Sequence, residues 1–298
     1  MITVTLLDKI KEAEKRFEGT LGVAVKHLGT SESASMNGDE LFPTASVFKV
    51  PVIVEFYRQL ESGAVSLDEK ITLMDGDKVP GSGILKELSE GLELTYRDLL
   101  ELMMILSDNT ATDLVVERVG KERVNATLRE LGLEKTLVVA DCRDILFDLV
   151  GLSHLPDEEK TIASFNEKAR GARMGGTWSL GVEENDVTTP DEMLRLLEMI
   201  VDGEAASRES CDAILEIMGK CQTGIYRISK YLPREEIEFA HKTGSLPGVR
   251  NDAGIVTHLK TGQRYIICCF TKDAEDVYSA EEVIARVSEV AYDYFTSD

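Results

Sequence analysis

Positive charge is in short supply in this chain. Its 33 Lys and Arg stand against 54 Asp and Glu, leaving a formal net charge of −21. Nucleic acids and anionic membranes are held by basic patches, so neither is an expected partner. Histidine is scarce as well. With four histidines and no H-E-x-x-H spacing there is little to support a zinc hydrolase, and neither a metal nor an organic cofactor is expected. Five cysteines are an odd number for a disulfide framework. Cys268 and Cys269 are neighbours in a strand-like run, where their side chains point to opposite faces and read as packing residues. No histidine pattern supports a cysteine nucleophile at Cys221. No run of about 18 apolar residues suggests a membrane span. Residues 1–17 lack the basic start and apolar stretch of a secretory signal, so the expected location is the cytoplasm, with an exported mature form as the alternative. Internal repeats and low-complexity segments are absent.

What remains is a chain of 298 residues, 43% hydrophobic, long enough to bury a sizeable core. Periodicity predicts a helix from about Leu6 to Phe17 and a strand over Leu21–His27. Helices then follow near 46–61, 96–106, 110–119, 122–131, 190–202 and 208–219. Strands return at about 237–243, 252–259 and 263–271, and a last helix covers about 280–295. The expected fold is therefore α+β: an antiparallel sheet built from both chain ends with flanking helices, plus an inserted all-helical lobe. Residues 1–45 and 221–298 make the discontinuous sheet lobe, residues 46–220 the helical lobe, and a cleft at their junction is the natural site. The expected flexible segment is Leu152–Asp186, glycine-rich at 171–176. The single tryptophan, Trp178, reads as an anchor for that loop, and Tyr96, Tyr226 and Tyr231 read as packing residues.

Three short motifs carry chemistry: Ser46-Val47-Phe48-Lys49, Ser107-Asp108-Asn109 and Lys242-Thr243-Gly244. A serine hydroxyl is a weak nucleophile until a base takes its proton. Residues three apart on a helix share a face, so Ser46 and Lys49 project together. Lys49 accepts a proton only if burial or a second cation, here Lys242, lowers its pKa from roughly 10.4. Thr95-Tyr96-Arg97-Asp98 is a capping box that opens the helix ending at Leu106 and places Ser107-Asp108-Asn109 in the turn beyond. There Ser107 can relay a proton to a leaving nitrogen, and Asn109 can bind a substrate amide or hold Lys49. The third motif follows the extended run Ile237-Glu238-Phe239-Ala240 and reads as an edge strand. Its Ser245 backbone N–H, with that of Ser46, can form an oxyanion hole. Lys242 and Thr243 can attract a substrate carboxylate, with Gly244 completing the motif. A second copy, Lys260-Thr261-Gly262, lies between two strand-like runs and is a hairpin turn. Roles for Arg250 and Asp252 are left open between carboxylate or amine binding and a salt-bridged turn.

With these motifs in this order, the chain resembles the class A branch of the penicillin-recognising serine hydrolases, from about Leu21 to the C-terminus. Pro80-Gly81-Ser82-Gly83-Ile84-Leu85 and Thr188-Thr189-Pro190, the latter opening a helix, add to the likeness. The resemblance implies Ser46 as nucleophile, Lys49 as base, Ser107 as proton relay and Lys242 as carboxylate anchor. One departure stands out. The family's deacylating glutamate belongs in a pattern resembling R-x-E-x-x-x-N, but Cys142-Arg143-Asp144-Ile145 offers an isoleucine where that glutamate is expected. Asp144, Asp148, Glu167 and Glu184 are the substitutes to weigh. The expected activity is hydrolysis of a β-lactam or related cyclic amide through an acyl-Ser46 intermediate, with deacylation impaired. An esterase or D-amino-acid peptidase using the same residues, and an acylated sensor that does not turn over, are the alternatives. The expected partner is a small molecule carrying a carboxylate.

Overall fold

The computed structural model describes residues 5–170 and 177–296; the glycine-rich stretch at 171–176 lies outside them. Runs of residues buried on both faces build the middle of the central sheet. Five strands, β1 (Thr20–His27), β2 (Ser33–Met36), β3 (Ile237–Leu246), β4 (Val249–His258) and β5 (Arg264–Lys272), pair antiparallel in the order β2-β1-β5-β4-β3. Leu21, Val23 and Val25 enter one core and Ala24 the other. Cys268 and Cys269 divide in the same way, as their adjacency requires. Each fully buried Val or Leu contributes roughly 1.5–3 kcal/mol of burial. The first core is closed by helices α1 (Leu6–Glu14) and α10 (Val277–Thr296), through Leu6, Ile10, Val283, Ile284 and Val287.

The other face carries the helical chain segment between β2 and β3. Its elements are α2 (Lys49–Glu61), α3 (Tyr96–Ile105), α4 (Asn109–Val119), α5 (Lys121–Glu130), α6 (Cys142–Leu149), α7 (Ile162–Ala169), α8 (Pro190–Asp202) and α9 (Arg208–Gly219). Local signals set their ends. Thr95 caps α3 by a reciprocal box with Asp98, and Thr189 caps α8 with Pro190 in its first turn. At Gly22 a Cβ would lie 2.4 Å from the Phe42 ring, so the missing side chain lets Phe42 and Pro190 settle against the sheet. The second K-T-G copy forms the turn between β4 and β5, as its flanking strands predict.

The structure corrects the expected elements at several points. Two further helices follow α5: α6, which is not among the expected helices, and α7, which falls within the segment expected to be flexible. Each is only eight residues long and begins at a side-chain cap, Asp141 and Thr161. Strand β2 was not expected because Ser-Ala-Ser-Met has little apolar content; its pairing with β1 holds it. Strands β3 and β4 run on to a tight turn at Pro247-Gly248, where Gly248 adopts φ +70. The first turn after Thr44 is a 3-10 turn, Ala45–Phe48, and α-helix begins only at Lys49. The first helix ends at Glu14, short of Phe17. Tyr226 is 60% exposed, so it packs little. Among the described residues no helix is long and apolar enough to cross a membrane.

Candidate active site

Strained backbone presents the first motif. Ala45 has φ +44, a conformation unfavourable for a residue with a Cβ, immediately before Ser46. This turns the chain into α2 and leaves Ser46 half-buried on the wall of a cleft of about 500 Å3. Lys49, one 3-10 turn further on, is fully buried. Its Nζ donates to the carbonyl (2.9 Å) and Oγ (3.0 Å) of Ser107 and to Asn109 Oδ1 (3.1 Å). Ser107 is itself held at φ +56 between α3 and α4.

Across the cleft the third motif lies on edge strand β3. Lys242 Nζ, also fully buried, donates to the same Ser107 Oγ at 3.0 Å and to the Thr243 carbonyl at 2.9 Å. One hydroxyl thus bridges two lysines. Burial is the leading cause that lowers the Lys49 pKa, while Cys142, Asp113 and Asp108 pull it upward. Lys242 is brought down to about 7, first by burial and then by the charge of Lys49. Both lysines are thus shifted toward the free amine, and a free amine can accept a serine proton.

Gly244 explains the closeness of the two motifs. A Cβ there would sit 2.4 Å from the Thr44 carbonyl oxygen and 3.2 Å from the Ser46 amide nitrogen. Only glycine allows β3 to lie against the turn at residues 44–46. Ser245, the next residue, lines the cleft with Ser46 and Asn109. Thr243 does not line it: its Oγ1 hydrogen-bonds to Thr223 Oγ1 at 2.6 Å. Arg227, which sequence reasoning missed, clamps the strand by donating to the Gly244 carbonyl (3.0 Å), the Asn251 carbonyl (2.8 Å) and Ser245 Oγ (2.6 Å). No motif surrounds Arg227, so only the folded chain reveals it.

The second motif is fixed by a partner loop. Asp108 caps α4 at Ala111 N and also accepts from Ile84 N (2.6 Å) and Leu85 N (2.9 Å). Asn109 Nδ2 donates to the Pro80 carbonyl at 2.9 Å. The Pro80–Leu85 segment is therefore stitched to the S-D-N turn, and Gly81 and Ser82 line the cleft.

Helix α6 supplies the facing wall through Cys142, Ile145, Leu146 and Leu149. Its entry is held by Asp113, which accepts from Cys142 N (2.8 Å) and Arg143 N (2.9 Å). Burial, then the neighbouring Asp141, pushes the Asp113 carboxyl up to about 7. None of the weighed carboxylates lines the cleft. Asp144 pairs with Lys121 at 3.5 Å, Asp148 accepts from Trp178 Nε1 at 2.9 Å, and Glu167 and Glu184 are exposed. Trp178 packs on Ile145, Leu149 and Leu246, fixing its loop to the body. Arg250 faces the cleft and pairs with Glu281 at 3.6 Å, whereas Asp252 is buried on His241.

Comparison with known proteins places this geometry. A family model described as the beta-lactamase enzyme family matches residues 5–295. Beta-lactamase VEB-1 of Pseudomonas aeruginosa is 25% identical over 304 residues, covering 98% of this chain and 91% of that protein. A beta-lactamase of Bacteroides uniformis is 26% identical, covering 98% and 94%. Among solved structures, a beta-lactamase from Sphaerobacter thermophilus superposes with a TM-score of 0.78 at 30% identity, covering 97% of this chain and 96% of that one. The structure called PBP-A gives 0.78 at 27% identity, covering 97% and 95%.

Proposed function

The chain belongs to the beta-lactamase enzyme family and is a serine hydrolase, and from that premise we propose that it forms an acyl-enzyme on Ser46 that it releases slowly. The observation that carries this reading is the Ser107 hydroxyl held at 3.0 Å from both Lys49 Nζ and Lys242 Nζ, behind a cleft lined by Ser46. Lys49, as free amine, takes the Ser46 proton while Oγ attacks the strained amide carbonyl. The amide N–H groups of Ser46 and Ser245 hold the oxyanion that develops. Ser107 passes the proton from Lys49 to the leaving nitrogen, and Lys242 keeps Ser107 oriented and draws the substrate carboxylate. Asn109 binds the substrate's side-chain amide, and Gly244 lets β3 lie close to Ser46, while Thr243, turned to Thr223, steadies the strand. The sheet lobe (1–45 and 221–298) and the helical lobe (46–220) meet at this cleft.

Slow release follows from what faces the acyl group. Hydrolysis of the ester needs a base for the incoming water, and α6 offers only Cys142, Ile145, Leu146 and Leu149 on that wall. A PBP-A variant is known as an acyl-enzyme complex with penicillin G, which makes that ligand the natural probe. Incubation with penicillin G, followed by intact mass and peptide mapping, should give a lasting adduct on the Ser46 peptide that Ser46→Ala abolishes. Rapid consumption of the penicillin with no adduct would instead mean a full hydrolytic cycle. Ester hydrolysis with an inert penicillin would move the assignment to an esterase or D-amino-acid peptidase.

A further inference from the structure

Beside Lys242, three side chains from β3, β4 and the turn at 221–224 form a cluster that the proposed chemistry does not use: His241, Asp252 and Cys221. His241 Nδ1 and Asp252 Oδ1 are 2.7 Å apart, both residues buried, and the imidazole stacks on Phe239 at 4.0 Å. The Cys221 thiol neighbours this imidazole, near enough for each group to act on the other's charge. Cys221 Sγ also lies 3.3 Å from Thr223 Oγ1, which in turn holds Thr243 of the third motif. The 221–224 turn is pressed onto that strand, since a Cβ at Gly224 would lie 2.4 Å from Thr243 Cγ2.

We propose that Cys221 is a thiolate modification site for small hydroperoxides, activated by His241 and Asp252 and placed to disturb the Lys242-Thr243-Gly244 strand when oxidised. A thiolate beside an imidazolium that a carboxylate orients is the arrangement that makes cysteine nucleophilic. Burial tends to raise the Cys221 thiol, but His241 and then Lys242 outweigh it and bring it to about 7. Burial likewise pushes His241 down, yet the Asp252 carboxylate and Cys221 carry it up to about 10, so the imidazolium persists beside the sulfur. The other four cysteines contrast sharply: Cys142, Cys211, Cys268 and Cys269 are buried, and burial raises every one of their thiols. Cys221 alone is partly exposed, flanked by exposed Gln222, Ile225 and Tyr226.

The step balances. The thiolate attacks one peroxide oxygen, an S–O bond forms as the O–O bond breaks, and the departing oxygen takes the His241 proton as water or alcohol. The products are a sulfenic acid and a neutral imidazole. The added oxygen crowds Thr223 and removes the negative charge that acts on Lys242.

Hydrogen peroxide with dimedone as trap, followed by peptide mapping at pH 6, tests this on the intact protein. Dimedone should add to Cys221 and to no other cysteine, at a rate above that of the same chain unfolded in urea. His241→Gln should slow the labelling tenfold or more. Labelling spread over several cysteines, or no faster in the folded than in the unfolded chain, overturns the proposal, and the second comparison decides even where His241→Gln does not fold. The link to the strand rests on the reading of Ser46 above. Labelled protein should react with penicillin G at least fivefold more slowly, while Cys221→Ser keeps its rate after peroxide; equal rates for labelled and unlabelled protein sink the link. If unlabelled protein takes up no penicillin, the Ser46 reading fails and the Cys221 site stands on its mapping alone.

Discussion

At the scale of single residues, the cleft depends on atoms that leave little room for substitution. Lys49 is the sharpest case. Burial lowers its pKa, so the free amine becomes available as pH rises through that lowered value. The rate of Ser46 acylation by penicillin G should therefore climb with pH on its acid limb. Lys49→Arg keeps charge and bulk but stays protonated, so acylation should fall by about 10²–10⁴, the usual worth of a positioned general base. A Lys49→Arg protein acylated at the original rate would remove Lys49 from its role. Gly244 gives a second test. Its added methyl in Gly244→Ala meets the Thr44 carbonyl oxygen at 2.4 Å, so the strand and the turn at residues 44–46 must part. A displacement approaching 1 Å costs up to about 10²-fold in rate, and stopped-flow acylation should show a loss of at least tenfold. These residues were legible in the sequence because each stands in a short motif. Arg227 was not: it binds carbonyls of β3 and β4 by reach alone, which no local spacing announces.

At the scale of elements, α6 is the wall on which the proposed slow release rests. It was missed as a helix because eight residues give too few turns for periodicity to stand out, and its stability comes from Asp141 and Asp113 at its start. The long elements α2, α3, α8 and α10 announced themselves by period and caps, and the interior strands by apolar runs. The ends of β3 and β4 and all of β2 needed their pairing partners to be seen. Ile145, on the cleft wall, is where the sequence comparison with the R-x-E-x-x-x-N pattern places the missing carboxylate. Ile145→Glu should leave acylation within a few-fold and shorten the lifetime of the penicillin adduct at least tenfold, read by mass spectrometry after excess penicillin is removed. An adduct equally long-lived would show that an apolar wall is not what slows release. The variant should also lose about 1–3 kcal/mol of stability, because Ile145 packs on Ala140, Leu149 and Trp178.

At the scale of the whole molecule, buried carboxylates tie stability to pH. Asp186 sits in the core with Oδ1 accepting from Val139 N (2.7 Å) and Ala140 N (3.0 Å), while buried Oδ2 has no partner among the described residues. Burial pushes its pKa up to about 7, against the two backbone hydrogen bonds that oppose the shift. Its ordinary value is about 3.8. Between those values the folded chain holds a proton that the unfolded chain has released. The stability that this proton represents is complete below about pH 4 and is lost as pH rises through about 7. Asp186→Asn keeps the acceptor oxygen and cannot ionise, so it should be indifferent to this range. Relative to the original protein, the variant should gain about 2–4 kcal/mol between pH 4 and pH 8. Urea unfolding of both proteins at pH 4, 6 and 8 measures the difference directly. Parallel curves would mean that Asp186 is ionised in the fold, stabilised by more than its two amide donors. Asp113, raised to about 7 as well, adds the same sign of slope to both proteins and so cancels in the comparison. The net charge of −21 works in the same direction as pH rises, but it too is nearly common to both, and its share can be removed by repeating the titration at about 0.5 M salt. A difference that survives the salt belongs to the buried carboxyl, because the core shields it from ions that screen the surface.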